Sequence, residues 1–379
     1  MNNTHVSPYF EELNGKIQSL GGLFNAHLHL DRAGTYHATV ELLKAQGIRD
    51  GSLLSLPRKH AIIPLIHNSN CFDQSAMAGR VQGYLDTMVQ VGTSRADTVI
   101  DVTADRVRLT TLETFLKLKE IYRGKLDLRL GAYSPLGFRD DEPDRWSLLV
   151  EAAKRADFIG LLPERDDKAD YPDHIGFEES CRRGIGLARE LGKPIHIHVD
   201  QANHQYEAGA ELVARLVRSA GFNSGAEKEP YIWLIHVISP STYAKERFQR
   251  LASNLAELNI GVICCPSAAI SMRQYQPFLS PTYNSIARVL EFLAAGIQVR
   301  MGSDNICDLT SPMGTPDLMA EVLVLANAVR FYDMDVLAKV AAGQKLSLSD
   351  REKVRIHLAE NSEFVETVVR RHAPHQSKI

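Results

Sequence analysis

Eight short runs of apolar and β-branched residues recur along this chain, most of them separated by stretches with helical spacing. The runs are Leu23–Leu30, Asp97–Thr103, Leu126–Tyr133, Asp157–Leu162, Pro194–Val199, Tyr231–Ile238, Ile260–Cys265 and Ile297–Gly302. Between them lie amphipathic segments such as TLETFLKLKEIYRG, EESCRRGIGLARELG, RFQRLASNLAELN and NSIARVLEFLAAG, closed by Gly or Asn. A strand that is apolar without alternation is buried on both faces, which is the condition of a parallel sheet covered by helices. Eight βα units over roughly 280 residues fit an α/β fold of the (β/α)8 TIM barrel kind, whose chemistry sits at the carboxyl ends of its strands. A doubly wound open sheet is the rival arrangement.

The chain has 379 residues and is read as a single barrel domain, with a core from about 20 to 345, an excursion over 32–92 and a helical segment over 346–379. The excursion carries one amphipathic helix, about Gln74 to Val91, and a polar, Pro-containing piece, DGSLLSLPRKHAIIPLIHNSN; it is either a lid over the barrel mouth or plain packing. A net charge of −3 gives no electrostatic case for nucleic acid or an anionic membrane, and no apolar run is long enough to span a bilayer. The amino-terminal residues have no signal-peptide pattern, and the five cysteines (71, 181, 264, 265 and 307) form neither a disulfide framework nor a metal knuckle. A cytoplasmic protein with a small-molecule substrate is expected, with homo-oligomers an open alternative.

Polar residues break the apolar strands at their carboxyl ends. His27 and His29 close the first strand, His196 and His198 the fifth and His236 the sixth, while Asp304 follows the eighth. Alternate residues of a strand share a face, so His27 and His29 project together, as do His196 and His198. Each alone has a bland reading as a satisfied core residue. Jointly, in barrel order, convergence on a metal is the economical account of so many buried imidazoles beside a carboxylate.

With those residues in view, the sequence resembles the amidohydrolase superfamily, and within it the cytosine deaminase-like branch that includes aminohydrolases of s-triazine breakdown. The similarity is carried by AHLHLDR, TVIDVT, ADFIGLLPE, PIHIHVDQ, WLIHVISPS, CCPSA and LAAGIQVRMGSDNICDLTSPMGTPDLM, and covers about Leu23 to Ala342. The resemblance implies one divalent metal, zinc before iron(II), held by His27, His29, His198 and Asp304. It puts His236 beside the activated water and the reacting carbon, and makes Asp304 the proton acceptor. His196, one layer deeper, is expected to be structural. No lysine closes the fourth strand, where binuclear relatives carry a carbamylated one, and Glu164 is the nearby carboxylate instead.

Two departures from the family pattern matter. Deaminases of the branch carry a proton-shuttling glutamate three residues after the strand-five histidine, whereas this chain has Gln201, which has no acid–base function. Only about 22 residues precede Leu23 and the carboxyl end reads as helical, so most of the usual flanking β-sandwich is expected to be missing. Asp304, His236 and Gln201 are the candidate catalytic residues. Arg32, Gln201, Glu164, Asp101 and Arg273, with Gln274, are candidates for substrate contact, Arg32 having the alternative of pairing with Asp31. The expected activity is hydrolysis of a C–N bond in a small, polar, cyclic amidine or amide with release of ammonia or an amine. Ring opening of a cyclic amide or ureide is the alternative that Gln201 raises, and a metal-binding barrel without turnover is the third.

Overall fold

A computed structural model describes residues 7–48, 51, 54–221 and 228–372. All eight expected strands form and close into a parallel barrel in sequence order: β1 (Leu23–Leu28), β2 (Thr93–Asp101), β3 (Asp127–Tyr133), β4 (Phe158–Leu161), β5 (Ile195–Val199), β6 (Ile232–His236), β7 (Ile260–Cys264) and β8 (Val299–Met301). The open-sheet alternative is thereby excluded. Several strands are shorter than their apolar runs, because the last residues peel away to form the mouth. β1 stops at Leu28, so His29 lies just beyond the strand.

The main apolar core lies between the outer faces of the strands and the surrounding helices. Two smaller clusters are separate from it: Phe24, Ala26, Trp233, Ile235, Ile263 and Cys265 form one, Val99, Tyr133, Phe158 and Leu162 the other. Large rings fit here only because glycines stand opposite. A Cβ at Gly261 would lie 2.4 Å from the Trp233 ring, and one at Gly131 would lie 2.3 Å from the Phe158 ring. Trp233 is buried and its Nε1–H donates to the Pro230 carbonyl at 2.9 Å, so the indole has nowhere to move. Gly261→Ala is therefore expected to cost about 1–3 kcal/mol by overpacking, read as a lower midpoint of urea denaturation. A wild-type midpoint would remove this account of the Trp233 layer.

Among the described residues every named strand belongs to the barrel. Helix α1 (Pro8–Ser19) instead packs on the helix Met334–Ala341, and the chain ends in the long helix Leu348–His372. The expected fraying of the tail HQSKI falls outside the described residues. No helix of the described chain is long and apolar enough to cross a membrane. The excursion folds as α2 (Tyr36–Ala45), α3 (Leu56–Ala61), α4 (Ile63–His67) and α5 (Gln74–Gln90). Three residues of its polar piece (50, 52 and 53) lie outside the described residues. Arg80 on α5 stitches the excursion to β1, its guanidinium donating to the carbonyls of Asp31, Ala33 and Cys71 at 2.6, 2.7 and 3.1 Å.

Candidate active site

The side chains singled out at the strand ends meet at one end of the barrel. The seam between the first and last strands is sewn by backbone bonds: the Asp304 N–H donates to the His27 carbonyl at 2.9 Å, and the His29 N–H donates to the Asp304 carbonyl at 3.2 Å. Asp304 Oδ1 then lies 3.4 Å from His27 Nε2 and 3.3 Å from His29 Nε2, while Oδ2 lies 4.0 Å from His236 Nε2. His198 Nε2 stands 3.1 Å from His27 Nε2. Two overlapping triads, His27/His198/His236 and His27/His29/Asp304, each bring their donor atoms within 4.8 Å of one another, all buried. His236 is thus as much part of the cluster as the others.

The backbone is bent to achieve this. His236 (φ 73°), Val237 (φ 48°) and Asp304 (φ 60°) adopt left-handed conformations that residues with a Cβ avoid. The turn after β6 is kept by N–H bonds from Val237 to the Val199 carbonyl and from Ile238 and Ser239 to the Asp200 carbonyl. Such strain, of order 1–3 kcal/mol per residue, persists where the surroundings over-determine it and clusters at functional sites.

The donor set fits a cation. His198 Nδ1 lies 3.0 Å from the Leu161 carbonyl, which fixes the proton there and leaves Nε2 as a bare lone pair. Burial holds His29 at about 3 and His236 at about 4, and keeps His198 well below its usual range, so these rings are neutral at pH 7. Burial alone would raise the Asp304 carboxyl, but hydrogen bonds from His27 and His29 hold it well below the usual carboxylate range. An ionised carboxylate ringed by neutral imidazoles needs a positive partner. Asn305, which the sequence reading missed, steadies that carboxylate by donating to Oδ1 at 3.0 Å. His196 lies outside the cluster, its ring stacked on Phe158 at 4.2 Å, in agreement with a deeper structural layer.

A cavity of about 360 Å³ opens over the cluster. Of the expected substrate contacts, Arg32, Gln201, Arg273 and Gln274 line it. Asp101 and Glu164 do not, and each is engaged behind a residue that does. Asp101 Oδ2 lies 3.5 Å from Arg32 Nε and 3.0 Å from His67 Nε2. The Arg32 guanidinium also contacts His29 Nδ1 rather than pairing with Asp31, whose Oδ1 takes the Arg32 backbone N–H. Glu164 accepts the Gln201 Nε2–H at 2.5 Å, and its other oxygen is buried without a partner. Burial, together with Glu207 and Asp200, pushes the Glu164 carboxyl well above the usual range.

Among the wall residues that were not anticipated are Tyr133 at the end of β3, and Lys59 and His60 from α3 of the excursion. Tyr133 closes an apolar run with a polar ring, a signal that was present in the sequence. His60 had no such signal, since nothing periodic surrounds it. The excursion contributes Leu54, Leu56, Lys59 and His60 to the cavity wall, so it covers the mouth as well as packing against the barrel.

No family model matches the chain. A protein of unassigned function from Haemophilus influenzae is 25% identical over 293 residues, 76% of this chain and 97% of that protein. A pterin deaminase from Rhizobium rhizogenes is 22% identical over 267 residues, 69% of this chain but only 57% of that enzyme. Among solved structures, a 5-methylcytosine deaminase from Klebsiella pneumoniae superposes with a TM-score of 0.69 at 20% identity, covering 84% of this chain and 72% of that one. An N-isopropylammelide isopropylaminohydrolase from Burkholderia multivorans gives 0.64 at 19% identity, covering 89% and 82%. A zinc-complexed atrazine chlorohydrolase from Arthrobacter aurescens gives 0.54 at 15% identity, covering 85% and 69%. At 15–20% identity these solved structures share the barrel fold expected from the sequence.

Proposed function

We propose that this chain is a metal-dependent hydrolase of the amidohydrolase superfamily that cleaves a C–N bond of a small, polar heterocyclic amidine or amide, releasing ammonia or an amine. The observation that carries the reading is the meeting of four imidazole nitrogens and the Asp304 carboxylate at the floor of the cavity. His27, His29, His198 and Asp304 would hold one divalent ion, zinc before iron(II), since three imidazoles and a carboxylate suit both. When bound, such an ion polarises a water or a substrate oxygen and lowers the water's pKa toward neutrality.

The protein's own groups divide the remaining work. Asp304, ionised and steadied by Asn305, accepts the proton of the attacking water and later passes it to the departing nitrogen. His236, neutral and facing Asp304 Oδ2, donates a hydrogen bond to charge developing at the attacked carbon. Gln201 has its Nε2–H engaged by Glu164, which leaves Oε1 to accept an N–H from the substrate edge. Arg32 binds a substrate oxo group or carboxylate, with Arg273 and Gln274 on the opposite wall; Glu164 and Asp101 act through Gln201 and Arg32. The cytosine- and triazine-directed neighbours and the relative named a pterin deaminase support a flat nitrogen heterocycle as substrate class.

Gln201 also supports a second reading, ring opening of a cyclic amide or ureide, in which Asp304 alone carries the proton. Metal analysis combined with mass-spectrometric screening of aminated and oxo-substituted heterocycles tests both. The expected result is about one equivalent of zinc or iron, and a product with –NH2 replaced by –OH together with ammonia, lost on chelation and restored by metal. A product heavier by one water with no ammonia selects ring opening. A metal-replete protein inert to the whole panel overturns both and leaves a binding protein.

A further inference from the structure

The last helix runs on past its own packing. In its first half, the helix Leu348–His372 buries Val354, rests Leu358 against the main core and sets the His357 ring 5.0 Å from that of Phe331. From residue 359 to residue 371 every side chain is exposed. The apolar stripe nevertheless continues. Val354, Leu358, Asn361, Val365 and Val368 follow the alternating four- and three-residue spacing of a single helix face, with Asn361 its one polar member. Phe364 and Val369 widen it, and Phe364, Val365, Val368 and Val369 are 67, 48, 38 and 55% exposed.

Such a face calls for cover on two counts. Four large apolar side chains in one patch are left in water. Residues 361–369 are also rich in Asn, Ser, Thr and Val, all weaker helix formers, so this half needs packing more than most helices do.

The charges beside the stripe identify the cover. Arg370 is taken within the helix by Glu366 at 3.2 Å, whereas Glu360 and Arg371 have no ion-pair partner among the described residues. Helical geometry places these two within about 20° of one another on one flank of the stripe, yet about 16 Å apart along the axis. They cannot reach each other. A second copy running antiparallel brings its own Arg371 beside Glu360, and two-fold symmetry repeats the pair. A parallel copy would set Glu360 against Glu360 and Arg371 against Arg371.

We propose that residues 359–371 of two chains pack as an antiparallel helix pair, with Phe364, Val365 and Val368 in the seam and Glu360–Arg371 ion pairs closing its flank. The patch is small for a permanent interface, so the homodimer is a weak one, forming in the micromolar range.

Sedimentation velocity on the full chain, from about 1 to about 100 µM, reads the association. The wild type is expected to pass from monomer toward dimer over this range. The double variant Phe364→Glu/Val368→Glu, altered only at exposed positions, is expected to raise the dissociation constant at least about ten-fold. Glu360→Arg and Arg371→Glu singly should each weaken association about three-fold or more, and the two reversals combined in one chain should restore it. A wild type that stays monomeric throughout overturns the proposal. So does a dimer that survives Phe364→Glu/Val368→Glu, or one that the single reversals leave unchanged. Circular dichroism at low concentration confirms that each variant is folded.

Discussion

Asp304→Asn is expected to lower kcat by roughly 10³-fold or more, since general acid–base work of this kind contributes on the order of 10² to 10⁴. The amide is isosteric, so the fold and the cavity should survive, but two functions are lost together. An amide oxygen holds no proton at neutral pH, and the only anionic charge in a ring of neutral imidazoles disappears. Metal content should therefore fall together with turnover. The measurement is ammonia or amine release per bound metal ion, alongside circular dichroism. Wild-type turnover in this variant would refute Asp304 as proton acceptor and the mechanism with it.

His67→Leu is expected to destabilise the fold by about 3–5 kcal/mol, the usual consequence of removing one partner from a buried ionic group. His67, on α4 of the excursion, is buried between two carboxylates, with Nε2 3.0 Å from Asp101 and Nδ1 2.6 Å from Asp105. Burial would lower its pKa, but the hydrogen bonds it donates to Asp101 and Asp105 raise it from 6.5 to about 9. A histidine raised in the folded state contributes stability that is complete below about pH 6.5 and lost as pH rises through about 9. Asp31, raised to about 7 by burial and by Asp101, has the same sign over a lower window. Above pH 7 the slope of the denaturation midpoint against pH should thus be negative in the wild type and much flatter in the variant. Equal slopes in the two proteins would show that the imidazolium is not the clamp.

Much of the fold was legible because its signals are local. Each strand is a continuous apolar run, and the side chains that interrupt such runs stand out against them. That contrast marked His27, His29, His196, His198, His236 and Asp304 before any tertiary contact was known, and all but His196 meet in the fold. Asp101 and Glu164 were placed at the right strand ends, but sequence carries no information on which way a side chain turns once a neighbour offers a better partner. His67 is 34 positions from Asp101 and lies in a segment without periodicity, so its partner could not be read from spacing.

The backbone stitching of Asp304 to His27 and His29 has a consequence for biogenesis. The nitrogen and oxygen donors come from opposite ends of the polypeptide and become neighbours only when the eighth strand docks beside the first. On the proposed ligand set, the complete site would exist only once residue 304 has left the ribosome, and a chain that stops short of it offers histidines without the Asp304 carboxylate. Under that proposal, uptake of the ion would report a closed ring, and an ion once seated would oppose the unzipping of that last junction.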